Sequence, residues 1–152
     1  RDKMIALIQR VSKASLTADG VFRGRIDQGL VALACAERDD SEKDADALAE
    51  RVLNYRVFSD ENGKMNLSLR DIKGQIMAVS QFTLAADTNS GNRPSFTPAA
   101  EPKLGEKLYE RFVKKLEAEG FSPVTGVFGA HMAVELVNDG PVTFWLRYPK
   151  KR

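Results

Sequence analysis

Between Leu136 and Leu146 the chain reads Leu-Val-Asn-Asp-Gly-Pro-Val-Thr-Phe-Trp-Leu, with Gly140-Pro141 in its middle. Leu136 and Val137 lead in, and Val142, Thr143, Phe144 and Trp145 lead out, all residues that suit a pleated surface. Proline has no N–H to give a ladder, so it is confined to strand edges, bulges or connections. The dipeptide therefore forbids an uninterrupted central strand here. It is either a plain hairpin corner or a specially shaped piece of backbone, and strand physics alone leaves both open.

The rest of the chain supplies strands and two helices. Residues 4–11 form a short apolar run, and Asp19-Gly20 parts two further runs in the manner of a hairpin turn. Residues 29–36 read as a buried strand. A helix is predicted to start at Ser41, a good N-cap, because Ala45, Leu48, Ala49, Val52 and Leu53 follow at i, i+3, i+4, i+7 and i+8. Residues 60–63 are a turn with a weak strand behind it, and residues 75–84 form one strand-like run. A second helix begins at Pro102, with Leu104, Leu108, Phe112, Val113 and Leu116 as its stripe and Gly120 beyond its end. Strands are predicted at 124–127, 131–137 and 142–147. The order of strands, helix, strand, helix and strands specifies an α+β fold with much antiparallel sheet.

Length and composition limit the function classes. With 152 residues the chain fits one domain, expected to span 4–148, preceded by three residues added before a natural start at Met4. The final Pro-Lys-Lys-Arg, 149–152, reads as a solvated basic tail. Lys and Arg number 23 against 21 Asp and Glu, a net charge of +2, so any contact with RNA is expected to be local rather than a long duplex footprint. The single cysteine, Cys35, lies in an apolar run and reads as a buried thiol in a reducing compartment. No apolar run reaches the length of a membrane span, and a cytoplasmic location is expected.

No P-loop, dinucleotide fingerprint, nucleophile elbow or clustered metal set is present, and no metal or cofactor is expected. A Ser-His-Asp arrangement would have to use His131, the only histidine. Ser80-Gln81-Phe82-Thr83-Leu84 interrupts the end of an apolar run. It is either a strand emerging into solvent or a bulged strand end whose backbone N–H groups and hydroxyls face a ligand carbonyl. Thr83 without a neighbouring base is a poor nucleophile, so oriented donors are the better chemistry for this segment. In the loop at 85–99, Arg93 and Phe96 stand near each other. Phe96 either stacks a base, with Arg93 near a phosphate, or pins the loop to the core. Arg10, in an otherwise apolar strand, either faces solvent or fixes backbone carbonyls through its forked donors.

Together these segments resemble the D-aminoacyl-tRNA deacylase family from Met4 to about Tyr148. The match rests on the opening Met-Ile-Ala-Leu-Ile-Gln-Arg-Val, on Ser-Gln-Phe-Thr-Leu at 80–84, on Asn-Arg-Pro-Ser-Phe at 92–96 and on Asn-Asp-Gly-Pro-Val-Thr-Phe at 138–144. The resemblance implies a barrel-like β core with two amphipathic helices. It implies a homodimeric, metal-free hydrolase with its active site at the subunit interface. Such an enzyme cleaves the ester between a D-amino acid, or glycine mischarged on tRNA-Ala, and the terminal adenosine of tRNA. Ser80, Gln81, Phe82 and Thr83 would form the catalytic segment, with the Phe82 and Thr83 N–H groups as the oxyanion site. Gly140 and Pro141 would be a cis dipeptide reaching into the partner's site, rejecting L-amino acids sterically and accepting from the substrate ammonium. Arg10 would orient that dipeptide, Phe96 would lie near the adenine, and Met132 would line the pocket. A binding module that holds nucleic-acid ends without turnover, and a general esterase, are the competing readings.

Overall fold

The structure is a computed structural model that describes residues 4–147. The expected leading residues 1–3, the domain end at 148 and the tail at 149–152 lie outside the described residues. Eight strands and three helices follow one another as β1 (Ile5–Ala18), β2 (Val21–Ile26), β3 (Gly29–Cys35), α1 (Glu42–Asn54), β4 (Phe58–Ser59), β5 (Met65–Leu67), α2 (Leu69–Ile72), β6 (Gln75–Ser80), α3 (Pro102–Ala118), β7 (Val124–Thr125) and β8 (Met132–Arg147).

The main sheet runs β2-β1-β3-β6-β7, with β8 also paired to β1, while β4 and β5 form a separate ribbon. Pairing is antiparallel around β1, but β3–β6 and β6–β7 are parallel, so the sheet is mixed. Its two ends approach each other: Arg23 of β2 donates to the Thr125 carbonyl at 3.0 Å, and Val124 of β7 lies against Gly24. The sheet thereby curls into a nearly closed barrel.

Both faces of the central strands are covered, which is why β3 and β6 read as near-continuous apolar runs. Leu30, Ala32, Ile76 and Ala78 pack under α1 and α3. Val31, Met77 and Val79 point the other way, into the barrel with Leu16 and Ile26. The stripe predicted for the first helix is buried as expected, and Ser41 and Asp44 close a reciprocal capping box at its start. The second predicted helix, now α3, buries Leu108, Phe112 and Leu116, together with Tyr109.

Four expectations are corrected. The short helix α2, nucleated by its own capping box between Ser68 and Asp71, makes three helices rather than two. The first strand is longer than expected, because β1 continues through residue 18 and pairs with β3 and β8 at one end and with β2 and β8 at the other. The predicted strand at 75–84 stops at Ser80, and Phe82–Ala85 turns into a 3-10 helix with Leu84 N–H donating to the Gln81 carbonyl at 3.3 Å. Finally, the runs before and after Gly140-Pro141 belong to one strand, β8. Its register on β1 jumps from Gln9↔Thr143 to Val11↔Asn138, so residues 139–142 oppose Arg10 alone. The dipeptide is a bulge within a strand rather than a hairpin corner.

Candidate active site

The bulge is held by side chains in place of a ladder. Asn138 accepts from the Val142 N–H at 2.7 Å, and its amide donates to the Val142 carbonyl at 3.2 Å and to the Thr143 hydroxyl at 3.0 Å. The loop is thereby pinched shut at its base. From the facing strand Arg10 donates through Nε to the Asp139 carbonyl and through a terminal nitrogen to the Val57 carbonyl, both at 2.8 Å. A guanidinium fork spans two carbonyls in this way because its donors lie in one plane. The Gly140–Pro141 peptide is cis. Gly140 has φ +151°, and a Cβ there would come within 2.7 Å of Val142 Cγ2. Both Gly140 and Pro141 are exposed.

A second constellation lies at the C-terminal end of β6. Here a cavity of 1330 Å³ is lined by Ser80, Gln81, Phe82, Phe96 and Met132. At the start of a 3-10 turn the first amides precede any internal acceptor. Accordingly, the N–H groups of Phe82 and Thr83 donate to no backbone carbonyl among the described residues. The turn is braced from below by Cys35, whose thiol donates to the Phe82 carbonyl at 3.5 Å. Burial pushes that thiol up to about 12, so it stays protonated at neutral pH and is no nucleophile. Gln81 donates to the Thr83 hydroxyl at 2.5 Å, fixing the two polar side chains on each other. The Tyr109 hydroxyl, also on the lining, is spent on the Ala78 carbonyl at 2.6 Å, and burial pushes it up to about 12.

The rings of Phe82 and Phe96 stand 5.0 Å apart at the mouth, 59% and 40% exposed, which is unusual for large apolar side chains without a partner. The long loop carrying Phe96 is built rather than slack, with Asp87 and Ser95 exchanging backbone bonds and Ala99 bridged to Glu37. Met132 reaches the lining over Gly126, where a Cβ would sit 2.1 Å from its sulfur. Among the described residues no group of three His, Cys, Asp or Glu side chains is placed to hold a metal ion, and no helix is long and apolar enough to cross a membrane.

The expected residues thus divide. Ser80, Gln81, Phe82, Phe96 and Met132 share one cavity, with Thr83 next in the turn but off the lining. Arg10, Gly140 and Pro141 form the other group and line no part of that cavity. Arg93 is likewise absent from the lining, whereas Arg38 is on it. Sequence reasoning missed Arg38, Gly126 and the closure by Asn138. The last had a signal, since asparagine readily bonds backbone groups a few residues along the chain.

The sequence profile described as D-Tyr-tRNA(Tyr) deacylase matches residues 7–147. A protein of Cupriavidus metallidurans named D-aminoacyl-tRNA deacylase is 58% identical over 151 residues, covering 96% of this chain and 97% of its own length. One of Shewanella amazonensis with the same name is 56% identical over 144 residues, covering 95% and 99%. A solved structure titled c-Myc DNA Unwinding Element Binding Protein superposes with a TM-score of 0.89 at 36% identity, covering 96% of this chain and 99% of its own. A probable eukaryotic D-amino acid tRNA deacylase shares the fold, with a TM-score of 0.81 at 17% identity and coverage of 95% and 99%. Profile and relatives agree over nearly the full length, and the chain belongs to the D-Tyr-tRNA(Tyr) deacylase family.

Proposed function

We propose that this protein hydrolyses the ester bond of D-aminoacyl-tRNA, releasing the free D-amino acid and tRNA, as a chiral proofreading enzyme of translation. Family membership and relatives of that name at 58% identity support the reading. The observation that carries the chemistry is the pair of unspent amides, Phe82 and Thr83, at the head of a braced turn that borders the cavity through Phe82. Donors fixed in advance stabilise the oxyanion that forms when water adds to the ester carbonyl. Ser80 and His131 both line the cavity, but no hydrogen bond joins them among the described residues, so the substrate's own ribose 2′-hydroxyl and water carry the protons. The terminal adenine lies against Phe96 and the aminoacyl group near Met132.

Chirality is read by Gly140 and Pro141 of a second copy. Their carbonyls accept from the substrate ammonium, while the backbone fills the space an L side chain would need. Glycine has no side chain to reject, so glycyl-tRNA is a further substrate. Two observations support the second copy. The cavity lacks the dipeptide of its own chain, and β8, sixteen residues long, pairs only with β1 among the described residues. Its outer edge is open and carries Val137 and Trp145, 45% and 48% exposed, an edge that a second copy can cover.

The test is release of D-tyrosine from D-tyrosyl-tRNA beside an L-tyrosyl-tRNA control, with the mass in solution measured by sedimentation. Release from the D ester alone, by a dimer, is expected. No release sinks the enzyme, and equal release from both esters sinks the chiral mechanism. The neighbour named for DNA-unwinding-element binding favours one second reading, a module that holds nucleic-acid ends without turnover. Tight binding of a single-stranded end with no ester cleavage is the result that would select it.

A further inference from the structure

The cavity wall carries one cationic side chain that the proposed chemistry leaves unused. Among the described residues Arg38 is the only Lys or Arg on the lining. It is exposed, and its guanidinium has no hydrogen-bond or ion-pair partner among the described residues. Several other arginines are engaged, Arg10 with Asp139, Arg70 with Glu50 and Glu119, and Arg111 with Asp46, while the exposed Arg93 lies off the lining. Arg38 is also fixed relative to Phe96. Its amide donates to the Pro98 carbonyl at 3.2 Å, Ala100 N–H donates to the Ala36 carbonyl at 3.2 Å, and Glu37 is bridged to Ala99. The connection carrying Arg38 and the loop carrying Phe96 are therefore one piece of wall.

Accepting that the cavity holds the aminoacylated 3′ end, we infer that Arg38 binds the phosphodiester joining the terminal adenosine to the nucleotide before it. With the base on Phe96 and the ester at the turn, that phosphate is the nearest anion of the substrate. A guanidinium matches two of its oxygens at once. The other charged side chains of this wall, Asp39 and Glu101, are carboxylates. Removing Arg38 therefore leaves a wall that repels the phosphate instead of a neutral one, and the expected loss is larger than for a rim arginine among neutral neighbours.

The experiment compares D-tyrosyl-tRNA with D-tyrosyl-adenosine, an ester that lacks the phosphate, for the unsubstituted protein, Arg38→Ala and Arg38→Lys. For tRNA, Arg38→Ala is expected to raise KM about tenfold with kcat little changed, as for loss of one charged hydrogen-bonding pair. Its salt dependence should flatten by roughly 0.7 in the slope of log(kcat/KM) against log salt, the share of one single-strand phosphate. Arg38→Lys should recover most of the affinity, and none of the three should differ on the adenosine ester. An unchanged KM for tRNA, or an equal loss on both esters, overturns the role of Arg38 while leaving the deacylase standing. Failure of the unsubstituted protein on both esters overturns the deacylase, and this inference with it.

Discussion

Replacing Asn138 by alanine tests whether the bulge in β8 must be ordered for catalysis. The change removes three hydrogen bonds, of 2.7, 3.0 and 3.2 Å. It also strips the Val142 amide of its acceptor in a residue only 7% exposed. The two bonds that Asn138 donates are open to water at least in part and together count as about 1 kcal/mol net, and the buried Val142 donor left unmatched costs about 1–3 kcal/mol, so the bulge loses roughly 2–4 kcal/mol. Even the lower figure shifts the ratio of ordered to opened bulge by about 30-fold. Spread over the whole domain, the same loss lowers Tm by only about 4–16 °C. The assay is kcat/KM on D-tyrosyl-tRNA and its L counterpart, with Tm on the same samples. The expected result is at least a tenfold fall on the D ester in a protein that remains folded. Asn138→Asp keeps the acceptor for Val142 N–H but sets a carboxylate against the Val142 carbonyl, and should also lose activity. A variant with lowered Tm and full activity would refute the claim that the ordered bulge is part of the site.

Other perturbations separate side-chain from backbone chemistry. Thr83→Ala loses only the exposed hydroxyl contact with Gln81, so kcat/KM should stay within about threefold, the scale of one weak exposed bond; abolished activity would restore a side-chain mechanism. Gly126→Ala drives a methyl into the Met132 sulfur, which sits on a flexible chain and can move. It should alter preference among D-amino acids with little change in Tm, and unaltered preference would remove Met132 from the pocket. Asp40 is pushed up to about 6, chiefly by burial and further by the charges of Asp44 and Glu37, while amide bonds from Glu37 and Met4 oppose the rise. Its folded value lies above the 3.8 of a free carboxyl, so its contribution to stability is full below about pH 4 and is lost as pH climbs through 6. Asp40→Asn should therefore gain on the unsubstituted protein by roughly 2 kcal/mol between pH 4 and pH 7.5 in denaturant titrations, and a flat difference would contradict the assignment.

Local physics was legible where neighbours in sequence decide it. The Ser41 cap and the apolar stripe behind it needed only helical spacing, and the Asp19-Gly20 turn takes positive φ at both residues, as its composition announces. What escaped was set across the chain. Residues 81–84 alternate well enough to continue a strand, but β3, the neighbour of β6, ends at Cys35, so the ladder runs out and the chain closes a turn instead. The margin position of Gly140-Pro141 followed from proline chemistry. Its form, one residue of β1 facing four of β8, depended on Arg10 about 130 positions away. The candidate site divided in the same manner. Motifs exposed the segments at 80–84 and 138–144, while the separation between them in one chain is a property of the folded sheet. Arg38 carried no motif at all, since its meaning comes from the backbone bonds that tie it to the loop of Phe96.

The central claim, a site assembled from the turn of one protomer and the bulge of another, is open to complementation. Phe82→Pro deletes one oxyanion donor at a position where proline suits the start of a helical turn, with Phe82→Ala as the control that keeps the N–H. Gly140→Ala crowds the bulge against Val142. Each variant alone should be nearly inactive on D-tyrosyl-tRNA. Unfolded together and refolded as a mixture, they should regain about a quarter of the normal activity. Half of the dimers are then mixed, and each mixed dimer holds one intact site of two. A mixture no more active than its components would contradict the shared site.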